Sequence, residues 1–391
     1  MSEVSSTSIP IEIVSDEEML LIEAAFSFAF QSNSKLINNF NNINNNSCSS
    51  SSSSSAYKNR SYCSIVGDIE DGIGIRSTQT RIQNQLQKKE DFSLLNRFRK
   101  KTGLSVTDIT STEWCEKQKE FFLLYGKPKA SNAMKAGSAR HAVLEQEVIT
   151  RVEVVIRSAE EHWALKMINF IHGTNQLIHD GLTRELPMIG FVEGVCVVGV
   201  IDEIRMTSLI GTNRVPILVE TKTRLQDNLP SEPQQRNARL QLMCYKYLWD
   251  NLLTRPFPSR HFLQLFSLNP NYVLSKEIQD FAIQAGAPAQ TLNDVLGKYE
   301  YVCSMLPETQ DQLLLRYEYQ KDQSLIGEIE YVYDCNWVSD QIRSSLEFWK
   351  GEREASYVLE DERFKCKYCV YASKCPINAI STTQITKQTL K

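Results

Sequence analysis

No stretch of this sequence carries the ~18 consecutive apolar residues that a membrane-crossing helix needs. That excludes a helical anchor, and a soluble chain without a membrane partner is expected. A Gly-x4-Gly-Lys-Ser/Thr phosphate loop is also missing, so no ATP motor of that type is built in. The start, Met1-Ser-Glu-Val followed by Glu12, Asp16, Glu17 and Glu18, lacks the basic-then-apolar layout of a secretory signal. It also lacks the acid-poor, arginine-rich look of a transit peptide. Positive charge is not in excess either: 43 Lys and Arg against 47 Asp and Glu give a net charge of -4. Any contact with a polyanion must then come from a local basic groove.

Cysteine, by contrast, is plentiful, with ten in 391 residues. Without a secretory signal these are read as thiols and metal ligands, not as a disulfide framework. Three crowd near the C-terminus in Cys366-x2-Cys369-x5-Cys375-Pro376. Thiolates packed this way suit a soft metal, zinc or iron. Three ligands leave such a site one short, and Cys115, far upstream in Thr112-Glu-Trp-Cys115, is the candidate fourth. A metal held by all four would clasp the two ends of the central region and would be structural. Cys48, Cys63, Cys196, Cys244, Cys303 and Cys335 read more simply as linker thiols or small apolar fillers.

Composition divides the chain into four parts. Residues 1–31 hold one expected helix, opened by the capping box Ser15-Asp-Glu-Glu18. Residues 32–90 are a linker, rich in Asn and Ser over its first part, that cannot bury enough apolar surface to fold and are expected to be disordered. Residues 91–380 form the ordered domain, and 381–391 a tail. Within that domain Ser105-Val-Thr-Asp-Ile-Thr opens a helix containing Trp114 and Cys115, and Ser131 to Ile156 reads as a long helix. A further helix covers about Glu160–Ile178. Ile189 to Asp202 reads as two short strands broken at Gly194, Val215 to Glu220 as a third, and a helix follows Pro233 to about Leu253. Helix, strands and helix in that order imply an α/β core.

Two strand ends carry the chemistry. Gly199-Val-Ile-Asp202 delivers a carboxylate, and the next strand ends Val219-Glu220-Thr221-Lys222. Alternation puts Glu220 and Lys222 on one face, about 7 Å apart along the strand. If the strands pair, Asp202 and Glu220 converge, and two anions there require a divalent cation such as Mg or Mn. Lys222 would then orient water or stabilise charge growing on a phosphate. An isolated Glu-x-Lys is more often a strand end with solvated charges; Asp-x17-Glu-x-Lys with strand-like sequence before each part shifts the balance. Gly137-x3-His141 places an imidazole on the preceding helix, with Glu145 one turn further on the same face. Gln241-x3-Tyr245 is an i,i+4 pair that could position a phosphate or lock the lysine, on a helix that also buries Leu240, Cys244 and Leu248.

Gly-x3-His141, Gly-Val-Ile-Asp202, Glu220-Thr-Lys222 and Gln241-x3-Tyr245, in that order, resemble the RecB-like branch of the PD-(D/E)XK nucleases. With Cys115 ahead and Cys366, Cys369 and Cys375 behind, the set resembles the iron–sulfur members, the exonuclease V family among them. The likeness covers roughly Asp91 to Pro376. It implies a restriction-endonuclease-like α/β core, a mixed central sheet flanked by helices and closed by a 4Fe-4S cluster on the four cysteines. It further implies a metal-dependent exonuclease directed at single-stranded DNA. His141, Asp202, Glu220 and the carbonyl of Thr221 would hold Mg or Mn, Lys222 would serve catalysis, and Gln241 and Tyr245 would support it.

A clasped domain suggests a closed channel that admits a single strand and excludes a duplex about 20 Å across. Binding would rest on basic side chains and stacked rings without base reading. Arg205, Arg224, Arg236, Arg239 and Lys246 are the candidate phosphate contacts, with Tyr272 or Phe262 as stackers. The expected role is DNA repair or genome maintenance by a monomer, with a single-strand-binding protein as a candidate partner. Nucleus or cytoplasm is favoured over chloroplast or mitochondrion. The rival readings are a zinc- or iron-bound nucleic-acid-binding module without catalysis, and a structure-specific endonuclease.

Overall fold

Ser105, Ser131 and Ser158 each cap a helix by accepting a backbone N–H three residues on, and these caps set where the ordered elements start. At Ser105 the cap is reciprocal, because the Asp108 carboxylate takes the Ser105 N–H at 3.0 Å. The computed structural model describes residues 93–148, 154–207 and 214–377. The helix expected within 1–31, the linker 32–90 and the tail 381–391 lie outside them.

The chain opens with α1 (Leu94–Phe98), β1 (Leu104–Ser105), α2 (Val106–Tyr125), α3 (Asn132–Gln146) and α4 (Ala159–Asp180). Strands β2 (Leu182–Val192), β3 (Val195–Thr207) and β4 (Val215–Arg224) follow. Then come α5 (Glu232–Thr254), α6 (Ser259–Phe266), α7 (Lys276–Gln284) and α8 (Leu292–Ser304). The last elements are β5 (Gln312–Tyr319), β6 (Leu325–Val332), α9 (Cys335–Lys350) and two 3-10 turns, Arg363–Tyr368 and Ala372–Lys374. No helix among the described residues is long and apolar enough to cross a membrane.

The result is a mixed six-stranded sheet flanked by helices, the α/β class read from the sequence. The strands run β1-β3-β4-β5-β6, with β2 on the other edge of β3. β2 and β3 pair antiparallel over their whole length through a turn at Glu193 and Gly194, both at positive φ (49° and 78°). That backbone matches the right-handed twist of a hairpin, so the break at Gly194 is a turn between two long strands. On its other edge β3 pairs with β1 at Val197 and Val198 and with β4 only from Glu203 onward. Residues 199–202 lie between these two ladders, and Asp202 is the last of them.

The sheet is longer than the sequence patterns indicated. β5 and β6 extend it: Leu313, Leu314 and Leu315 precede a polar turn, and β6 alternates Glu and apolar residues on an exposed edge. The helix expected to reach Ile156 ends at Gln146. Gly199 is a packing requirement: a Cβ there would come within 2.7 Å of the Tyr245 ring and 2.9 Å of Val106. The core is aromatic beneath α4, where Trp163, Phe257, Phe262 and Phe266 pack at centroid separations of 4.5–5.5 Å.

Candidate active site

Three neighbouring strands each place one carboxylate at the same level. The pairs Arg184↔Glu203 and Leu186↔Ile201 bracket Glu185 opposite Asp202, and one step past Glu203↔Val219 Asp202 comes level with Glu220. The expected convergence of Asp202 with Glu220 is therefore a consequence of register. β3 and β4 separate at this point, and the Thr221 N–H turns to Asp202 Oδ2 at 2.9 Å. His141 reaches in from α3, its Nδ1 3.3 Å from Glu185 Oε1 and 3.7 Å from Asp202 Oδ1. Gly137, one turn earlier, lets α3 approach the sheet, since a Cβ there would stand 3.2 Å from Thr223 Oγ1. Glu145, one turn after His141, is buried.

The electrostatics are those of crowded charge. Burial and the neighbouring Asp202 charge push the Glu220 carboxyl up to about 7. Burial likewise raises Asp202, against His141 and Lys222. The Asp202 charge lifts His141 to about 9 despite burial, with Glu185 adding to it. Glu220 is fully buried, and its Oε2 has no hydrogen-bond partner among the described residues. A buried carboxylate oxygen without a donor is costly, and an oxygen-seeking cation would satisfy it. Three carboxylates and one imidazole suit Mg or Mn, so the donor set fits.

Lys222 Nζ donates to Glu220 Oε1 at 2.5 Å and to Gln241 Oε1 at 3.1 Å. Gln241 Nε2 in turn donates to the Tyr245 hydroxyl at 3.3 Å. The i,i+4 pair on α5 thus holds the lysine. Burial works against the ammonium, but Glu220 and Asp202 outweigh it and keep Lys222 protonated.

The four motif cysteines come together. α2 breaks at Cys115, whose backbone is extended (φ -174°, ψ 113°), and this turns its thiol into a cavity also lined by Cys366, Cys369 and Cys375. Trp114, Phe121, Tyr357 and Val358 share the lining. Burial, then the neighbouring thiols Cys115, Cys375 and Cys369, raise the Cys366 pKa. Protein contacts tie the same ends: Arg353 grips Glu116 through two 2.6 Å bonds, and Tyr371 donates to the Gly126 carbonyl at 2.5 Å. Cys196, Cys244 and Cys303 are buried and Cys335 is exposed.

The candidate phosphate contacts divide. Arg236 is committed to Glu113, Glu232 and Glu362 at 2.8–3.1 Å. Arg239 lies 4.6 Å over the Trp337 ring, and Lys246 is buried against Asp250 at 2.8 Å. Each of these three thus has a partner within the protein. Arg224, two residues past Lys222 on β4, donates to Asn228 Oδ1 at 3.3 Å, and its buried Nε has no hydrogen-bond partner among the described residues. Arg205 is partly exposed, with Glu203 3.8 Å away. Phe262 is fully buried and cannot stack on a base, whereas Tyr272 is half-buried. Sequence reasoning missed Glu185, since no motif surrounds it and only the β2–β3 register brings it to Asp202.

The chain matches a family model described as "Exonuclease V - a 5' deoxyribonuclease" over residues 93–213, 211–294 and 290–376. It is 30% identical over 293 residues to exonuclease V of Danio rerio, covering 73% of each chain. It is 31% identical over 77 residues to the mitochondrial exonuclease V of Candida albicans (strain WO-1), covering 19% of this chain and 12% of that protein. The crystal structure of SSO0001 overlays with a TM-score of 0.30 at 15% identity, covering 77% of this chain and 98% of that one.

Proposed function

The chain belongs to the exonuclease V family and is a DNA exonuclease, and from that premise we propose that it degrades single-stranded DNA from an end into short oligonucleotides at the Asp202–Glu220–Lys222 site. The observation that carries the reading is the buried, half-satisfied Glu220, level with Asp202 and hydrogen-bonded to Lys222. Carboxylates at this level beside a lysine support a PD-(D/E)XK site. The family description supports a 5′ direction.

His141, Asp202, Glu220 and the Thr221 carbonyl would hold a divalent cation, Mg or Mn. Bound there, the ion supplies Lewis-acid activation of the phosphate and makes water a stronger nucleophile at neutral pH. Lys222 stays protonated and offers an ammonium to charge building on the scissile phosphate. Gln241 and Tyr245 fix where that ammonium stands. Arg224 and Arg205 would contact the DNA backbone, and Tyr272 a base.

Cys115, Cys366, Cys369 and Cys375 would hold a 4Fe-4S cluster. Four thiolates would suit zinc as well, and the likeness to the iron–sulfur members is what supports the cluster over it. The cluster would be structural, closing a path sized for one strand. Repair or genome maintenance is the role that fits. The naming of Candida relatives as mitochondrial puts that organelle beside the nucleus as a place to look.

The test is Mg-dependent digestion of end-labelled linear strands beside circular ones. Release from linear single strands alone, abolished by EDTA and by Asp202→Asn, is expected. Cleavage of circles would make it an endonuclease, and an inert protein containing zinc would make it a binding module.

A further inference from the structure

We propose that Arg236 is a positioning residue for Lys222, acting through α5 from a charged node shared with the turn that carries Cys366. The inference rests on the reading that Lys222 serves cleavage, and it deepens that reading.

Three segments far apart in the chain meet at the node. Arg236, on the second turn of α5, reaches Glu113 of α2 at 3.1 Å and Glu362 at 3.0 Å. Glu362 immediately precedes the 3-10 turn Arg363–Tyr368. Lys365, from that turn and almost fully buried, completes the set: its Nζ stands 2.6 Å from Glu362 and 4.0 Å from Glu113. The same ammonium lies 4.8 Å from the centre of the Trp114 ring, a favourable seat for a cation. Two carboxylates and two cations thus balance one another, two residues from Cys115 on one side and one from Cys366 on the other. The planar guanidinium suits this place, since Nη1 takes Glu113 while Nη2 takes Glu232 and Glu362.

The node bears on the site because of how α5 is held. Its N-cap, Ser231, makes no side-chain hydrogen bond, and its buried residues begin only at Ala238. Polar ties fix the beginning of the helix instead. Arg236 binds the node, Asn237 Nδ2 donates to the Thr110 carbonyl at 2.7 Å, and Gln235 accepts from the Tyr331 hydroxyl at 2.8 Å. Gln241 follows Arg236 by five residues, about 7.5 Å along the axis, and accepts from Lys222 Nζ at 3.1 Å. The hydrogen-bonded backbone between them passes a displacement of the helix start on to that amide. The turn carrying Cys366 therefore reaches the catalytic lysine without touching it.

A double-mutant cycle on the purified chain decides the matter. Arg236→Gln is expected to lower the single-turnover rate at saturating DNA about tenfold, less than the ~100-fold of a 1 Å misplacement because other ties remain. DNA affinity and Mn binding should not change. In a Gln241→Leu background the same substitution should cost nothing further, since the relay is already cut. Losses that multiply, or a lowered melting temperature with an unchanged rate, overturn the inference and leave Arg236 a purely structural residue. Glu362→Gln, which leaves Glu113 and Glu232 on the guanidinium, enters the same cycle with the same two outcomes if Arg236→Gln does not fold. A Gln241→Leu variant as fast as the unaltered protein would sink the Lys222 reading itself, and this inference with it.

Discussion

Gln241 accepts a hydrogen bond from Lys222 Nζ at 3.1 Å, and this contact joins the helix α5 to the reacting end of β4. Together with Glu220, the amide sets where the charge stands. Gln241→Leu is expected to lower the cleavage rate about 100-fold, the scale of a 1 Å misplacement of a catalytic group. DNA affinity should change little. Single-turnover kinetics beside binding isotherms would separate the two, and an unchanged rate would remove Gln241 from the site.

Lys222→Ala should cost about 100- to 1,000-fold in rate, as expected for a lost charge stabiliser. Metal binding should persist because the ligand oxygens remain. A melting temperature close to that of the unaltered protein, with strong loss of activity, is the expected pair of results.

Glu220 in the metal-free protein titrates at about 7, raised by burial and by Asp202. Its raised pKa means that the protonated form dominates below pH 7 and competes with a cation. Mn affinity is therefore expected to weaken by up to tenfold per unit as pH falls from 7 to 6, with proton release on binding. Calorimetry in buffers of different ionisation enthalpy would measure that release; none would contradict the assignment.

Asp108 is buried between Arg99 and Lys119, at 2.6 and 2.7 Å. Burial alone would raise its pKa, but the two cations override it and hold the carboxyl well below the usual range. A depressed carboxylate contributes stability above its unfolded pKa of about 3.9, lost as pH falls through and below that value. Asp108→Ala should destabilise the domain by about 3–5 kcal/mol at pH 7, because it strands two half-buried cations. Denaturant midpoints at pH 7 and pH 3 would show the gap narrowing in acid.

Arg224 and Arg236 should behave differently toward DNA. Arg224→Ala is expected to reduce the salt dependence of single-strand binding by about 0.7 in the log–log slope, one lost phosphate contact. Arg236→Ala should leave that slope unchanged and lower stability instead, since it strands Glu113, Glu232 and Glu362.

The sequence by itself determined much of this protein. Asp202, Glu220 and Lys222 were legible because strand patterns precede them at fixed spacing, and Cys115 with the C-terminal triplet because thiolates seldom crowd without cause. The helix caps at Ser105 and Ser131 were legible too, since capping is a local interaction. The tertiary structure alone decided what depends on pairing between distant segments. The parallel pairing of β5 with β4, which carries β6 to the edge, is one such decision, and the burial of Phe262 is another. Arg236, Arg239 and Lys246 face internal partners that no local pattern reveals. Glu185 is the sharpest case: it acquires its neighbour from the register of β2 on β3, and a shift of one residue would turn it away from Asp202. Local chemistry is written in short spacings, whereas which charge meets which is set by how strands align.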